Sequence, residues 1–102
     1  MEIIYVSMTV LPENSERFKN SLQTIVGEAR ALTGTMKYDW YNKPAESNIF
    51  ILYAEFETED HYHMVYKKSS VLKLINHQLF PLLVGEPTFK HFRASLIESH
   101  NV

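Results

Sequence analysis

The chain predicts an α+β fold of the ferredoxin-like kind, a βαββαβ plait with a four-stranded antiparallel sheet and helices on one of its faces. Three observations lead there. Four segments alternate their side chains with period two. A long segment between the first and second of these repeats its apolar residues at spacings of three and four. A second helical region, interrupted in its middle, separates the third from the fourth.

In the first strand Ile4, Val6, Met8 and Val10 alternate with Tyr5, Ser7 and Thr9. Both sets are largely apolar or β-branched, the mark of a strand covered on both faces. Pro12 ends it, since proline has no N–H for a ladder. Asn14 is placed to cap a helix, with Glu13 and Glu16 at its positive end. The helix stripe is Phe18, Leu22, Ile25, Val26, Ala29 and Leu32, and Gly34 follows where a left-handed residue ends helices. Met36 to Tyr41 predicts an aromatic-rich second strand, and Asn42 to Ser47, with Pro44, a loop. Asn48 to Glu57 is the third strand. Its Phe50, Leu52, Ala54 and Phe56 share one face, and Ile49, Ile51, Tyr53 and Glu55 the other. Thr58-Glu59-Asp60 offers a capping hydroxyl and then acids, so a short helix is expected to about Lys68. Ser69 or Ser70 caps the next, which carries Val71, Leu72, Ile75 and Leu79 and stops at Pro81 and Gly85. Phe89 to Ile97 alternates as the fourth strand. Residues 1–97 thus make one domain, and Glu98 to Val102, with nothing to pack, are expected to fray.

Helices cover one sheet face only. The other carries Tyr5, Tyr53, Ile49 and Ile51, too apolar to leave wet, and a second copy of the chain is the natural cover. A homodimer paired through this face is expected.

Composition narrows the function. With 102 residues, 45% hydrophobic and 22% charged, the chain holds one core and is neither disordered nor two-domain. It has no cysteine, which excludes disulfides, thiol catalysis and Cys-based metal sites. Net charge −2 draws neither nucleic acid nor an anionic membrane. No apolar run approaches the roughly 20 residues of a membrane span, and Met1 to Val6 does not read as a signal peptide, so a cytoplasmic protein is expected. The glycines, Gly27, Gly34 and Gly85, are too scattered for a phosphate-cradling loop. His61 and His63 lie about 200° apart around a helix and cannot grip one metal. No metal or other cofactor is expected.

Four stretches carry a family resemblance. They are Val10-Leu11-Pro12-Glu13 before a helix with Phe18, Thr33-Gly34-Thr35-Met36-Lys37-Tyr38 entering the second strand, Asn48 to Phe56, and Ser69 followed by Val71-Leu72-Lys73. Together they resemble the antibiotic-biosynthesis monooxygenase-like family of dimeric α/β barrels across nearly the whole chain. The resemblance implies a small enzyme that oxidises phenols or hydroquinones with O2 and without flavin, metal or haem. Where that family often has a tryptophan this chain has Phe56. Two family histidine positions fall on Tyr66 and Val71. Haem-degrading relatives use an asparagine, a tryptophan and a histidine at positions that here hold Val6, Phe56 and Asn76, so haem is not expected.

The resulting reading is a cofactor-free monooxygenase acting on a small quinol or polyphenol-like aromatic substrate. Two alternatives stand beside it: a non-catalytic dimeric module that binds a small ligand, and an isomerase of a small keto or sugar-like substrate. The candidate catalytic residues are His63 and Tyr66, as proton-handling groups. The candidate substrate-binding residues are Trp40 and Phe56 as pocket walls, with Asn76 and His77 as further polar groups. The pocket is expected between the sheet and the second helical region, where the helix break packs least regularly.

Overall fold

A computed structural model describes residues 1–97, in the order β1 (Glu2–Thr9), α1 (Ser15–Ala31), β2 (Thr35–Lys43), β3 (Glu46–Phe56), α2 (Ser70–Leu74) and β4 (Thr88–Arg93). The four strands form one antiparallel sheet in the order β2-β3-β1-β4. This is the expected plait. The tail expected to fray, Glu98 to Val102, lies outside the described residues.

The two central strands set the layers. Ile4, Val6 and Met8 of β1 and Phe50, Leu52, Ala54 and Phe56 of β3 are buried on the helix side. There they meet Phe18, Ile25 and Ala29 of α1 and Val71, Ile75 and Leu79 of the second helical region. The opposite face holds Tyr5, Ile49, Ile51 and Tyr53, half-buried with no helix over them, beside Tyr41 and Phe92 on the edge strands, each about half exposed. Tyr53 donates a 2.7 Å hydrogen bond to Glu55, the carboxylate that this face buries. Burial and that carboxylate push the Tyr53 hydroxyl up to about 12.

Four local expectations are corrected. Asn14 stands at the helix start, but its side chain makes no cap bond; a 3-10 turn, Pro12–Asn14, feeds the chain into α1 instead. The loop expected from Asn42 to Ser47 shrinks to a turn at Pro44 and Ala45. Asn42 Nδ2 donates to the carbonyls of Ser47 (2.6 Å) and Ile49 (3.0 Å) and holds the hairpin closed. The fourth strand ends at Arg93: the Ala94 N–H still reaches the Met1 carbonyl at 2.9 Å, and Leu96 and Ile97 are exposed. The second helical region contains two wide turns of π-helix, His61–Tyr66 and Ile75–Leu79, flanking α2. Lys67 N–H bonds the carbonyl of Tyr62, five residues back, at 2.9 Å. Ser69 caps α2 through Val71 N–H, as its sequence position suggests.

Gly34 is required twice over. Its φ of +85° is left-handed, and a Cβ there would stand 2.1 Å from His61 Cγ. His61 is pinned against this turn by Thr58, whose hydroxyl bonds His61 Nδ1 at 2.9 Å and accepts from the His61 N–H at 3.1 Å. Among the described residues no helix is long and apolar enough to cross a membrane.

Candidate active site

A cavity of about 320 Å³ opens between the sheet and the second helical region. Its floor is sheet: Ile4, Val6 and Met8 of β1, Leu52 of β3, and Phe89 and His91 of β4. Its roof is Tyr62, His63, Tyr66 and Lys67 from the first π-turn, with Leu72 and Ile75 beyond them and Phe80 and Pro87 at the end. The π-turn matters to this layout, because a widened turn shifts side-chain directions away from the α-helical pattern, and such turns recur at functional sites.

The polar groups gather at one end. Tyr66 and Tyr38 share a hydrogen bond, oxygen to oxygen 3.0 Å, inside the core. Burial, then the neighbouring Tyr38, pushes the Tyr66 hydroxyl well above 10.0, and burial lifts Tyr38 to about 12. Tyr66 is therefore a neutral phenol, able to donate a hydrogen bond but not to act as a base near neutral pH. Tyr62 stacks on Tyr66 and meets His63 and His91 edge-on or tilted, at ring distances of 4.8 and 4.7 Å. His63 Nε2 is 3.8 Å from Glu59 Oε1, and both side chains are exposed.

Behind His91 stands Glu2, whose side chain is 3% exposed. Its Oε1 lies 3.2 Å from His91 Nε2, and its Oε2 accepts from Arg93 Nε at 3.2 Å. Arg93 also reaches Glu59. Burial alone would raise the Glu2 carboxyl, but the hydrogen bonds from Arg93 and His91 outweigh it and hold the group below 4.5.

Of the residues singled out from sequence, His63 and Tyr66 border the cavity. Phe56 is fully buried behind it, its ring against Tyr66 (4.7 Å) and Tyr62 (5.4 Å). Trp40 packs edge-on against Phe18, away from the cavity, with its indole N–H buried and unpartnered among the described residues. Asn76 and His77 are exposed and do not line it. Sequence reasoning missed Tyr62, His91 and Glu2. A signal for Glu2 was present, since it sits in period with Ile4, Val6 and Met8 on an otherwise apolar face. Its partner His91 is 89 residues away, and only the register Ile4↔His91 brings the two together. Among the described residues no three His, Asp or Glu side chains converge as a metal site.

The antibiotic biosynthesis monooxygenase family model matches residues 1–95. A Bacillus subtilis protein named "Putative monooxygenase YcnE" is 30% identical over 59 residues, which are 58% of this chain and 62% of that protein; the match thus spans under two thirds of that relative's length. Among solved structures, one named "Putative antibiotic biosynthesis monooxygenase from Nitrosomonas europaea" superposes with a TM-score of 0.85 at 15% identity, covering 92% of this chain and 98% of that one. A conserved protein from Methanosarcina mazei superposes with a TM-score of 0.84 at 22% identity, covering 93% and 94%. At these identities the structural likeness is one of fold.

Proposed function

The chain belongs to the antibiotic biosynthesis monooxygenase family, and from that premise we propose that it is a cofactor-independent monooxygenase oxidising a small quinol or polyphenol-like aromatic compound with O2. The observation that carries the reading is the cavity. At about 320 Å³ it stands at the lower end of the small-ligand range, room for one or two fused rings. Its walls are mostly aliphatic and aromatic, and its polar groups are phenol, imidazole and the Lys67 ammonium.

The reaction balances with no further reductant. A hydroquinone and O2 give a hydroxyquinone and water. The substrate supplies all four electrons, two in passing to the quinone level and two from the ring C–H that becomes C–O. One oxygen atom ends in the product and the other in water. Loss of a phenolic proton to a neutral imidazole makes the ring a strong enough donor to pass one electron to O2. The semiquinone and superoxide combine at a ring carbon to give a hydroperoxide. Removal of the proton on that carbon breaks the O–O bond and expels hydroxide, which leaves as water.

The protein's part is to bind the ring, favour its anion and exclude bulk water. Ile4, Val6 and Leu52 hold the ring. Tyr66 donates a hydrogen bond to a substrate oxygen, and half-exposed His63, beside Glu59, links the cavity to solvent protons. The open sheet face, with Tyr5, Ile51, Tyr53 and Phe92, pairs two copies into a homodimer.

Oxygen uptake by the purified protein tests this reading, with 1,4-dihydroxybenzene and 1,4-dihydroxynaphthalene as substrates and EDTA present. Uptake well above autoxidation, unchanged by EDTA, is expected. Uptake no faster than in buffer overturns the reading. A rise in melting temperature without turnover marks a ligand-binding module instead.

A further inference from the structure

We propose that His91 is the general base that takes the phenolic proton of the substrate, and that the buried Glu2 carboxylate is its positioning residue. The assignment rests on the oxygenase reading above and names the group that reading leaves open.

Glu2 is the anomaly that leads there. It lies in line with Ile4, Val6 and Met8 on a face built for apolar packing, where a lone carboxylate is costly. Arg93 would suffice to neutralise it. Yet Glu2 divides its oxygens, giving Oε2 to Arg93 and Oε1 to an imidazole that itself borders the cavity. A carboxylate behind a cavity-lining imidazole fixes both ring orientation and tautomer. With Glu2 ionised, neutral His91 carries its proton on Nε2, toward Oε1. The lone pair is then on Nδ1, which makes no hydrogen bond among the described residues. Once Nδ1 has taken a proton, the imidazolium faces an anion held in place beforehand.

Every charged or titratable group around His91 fits this role. Glu2 comes from β1 and Arg93 from β4, the strand of His91 itself, and Arg93 is shared with Glu59. Tyr62 and His63 face the ring from the π-turn, at 4.7 and 6.1 Å between ring centres. Lys67, its ammonium 5.6 Å from the centre of the Tyr62 ring, also borders the cavity and adds a cation to its wall. His63 is placed differently: among the described residues its one carboxylate neighbour is 3.8 Å away and exposed, so neither its tautomer nor its orientation is held.

The test uses the full chain and three variants, His91→Gln, His63→Gln and Glu2→Gln, each checked for folding by thermal melting. His91→Gln keeps a donor for Glu2 while removing the base. His91→Gln should lower oxygen turnover by about 100-fold or more, the usual weight of a general base, and His63→Gln by about tenfold or less. Glu2→Gln should lower kcat with little change in KM, because the imidazolium loses its anion in the step that takes the proton. An unchanged kcat, or a rise in KM alone, would mean that Glu2 is merely structural.

A second readout does not depend on oxygen. 4-Nitrophenol absorbs in the visible only as its phenolate. The parent protein should bind it as phenolate below the pH at which it ionises in solution, and His91→Gln should bind it as phenol. If the parent shows this signal and no oxygen uptake, the oxygenase reading fails and the base assignment stands. If His63→Gln rather than His91→Gln abolishes the signal, or the parent leaves 4-nitrophenol in its solution state, the assignment is overturned.

Discussion

Removing one hydroxyl of the buried Tyr38–Tyr66 pair should cost more than removing both. The two oxygens are 3.0 Å apart; Tyr38 is fully buried and Tyr66 is 5% exposed. Tyr66→Phe leaves the fully buried Tyr38 hydroxyl without this partner and without water, and Tyr38→Phe takes the same partner from Tyr66. A stranded buried hydroxyl costs about 1–3 kcal/mol, whereas replacing both partners by apolar groups of the same shape is nearly neutral. The double variant should therefore be more stable than either single one, with a coupling of about 1–3 kcal/mol between the positions, as expected for residues in direct contact. In a chain of this size each kcal/mol moves the melting temperature by about 4–8 °C, well within reach of the measurement. Urea titrations of the four proteins with matching slopes give the cycle. If the two single costs simply add in the double variant, the hydroxyls are not partners, and the case for Tyr66 as a fixed hydrogen-bond donor at the cavity falls with them.

Other consequences follow from the same geometry. Burial lifts the Tyr38 hydroxyl from 10.0 to about 12, so above pH 10 the unfolded chain releases this proton while the folded one keeps it. Stability is then fully present below pH 10 and declines toward pH 12 by about 1.4 kcal/mol per unit from this group; Tyr38→Phe should flatten that slope in denaturation measured across the range. Gly34→Ala should destabilise by more than about 1–2 kcal/mol, because a left-handed alanine is strained and its Cβ also displaces His61; a melting temperature within 2 °C of the parent would refute the role given to that turn. Light scattering at micromolar concentration should report about twice the 11.9 kDa chain mass, and Ile51→Lys on the open face should shift it toward one; a parent protein that is monomeric contradicts the pairing.

Most of the fold was legible because it depends on local rules. The two-faced alternation of Phe50, Leu52, Ala54 and Phe56 against Ile49, Ile51, Tyr53 and Glu55 survives intact, as does the stripe of α1, since period and burial are the same fact. What was not legible depends on partners distant in sequence. Capping chemistry pointed to Asn14, but Pro12 starts a 3-10 turn first. Turn residues pointed to a loop at Asn42, but its side chain closes the hairpin onto Ser47 and Ile49. The first π-turn has no residue signature: its Tyr62 and Tyr66 pack on Phe56, a tertiary contact that propensity does not announce. The site divides in the same way. His63 and Tyr66 were legible as polar groups on the helix that covers the cavity. Glu2 and His91 were not, because a β1–β4 register makes them neighbours. The aromatic residues of adjacent strands pointed to Trp40 as a pocket wall, and it packs edge-on against Phe18 instead of lining the cavity.

The central claim is that O2 reacts inside this cavity with the substrate as its only source of electrons. Turnover of 1,4-dihydroxynaphthalene under ¹⁸O2, with the product read by mass spectrometry, addresses it most directly. A hydroxynaphthoquinone carrying one ¹⁸O atom is expected, with the other ¹⁸O in water and one O2 consumed per product. Unlabelled quinone with hydrogen peroxide in equal amount, or no oxygen consumption at all, would contradict it.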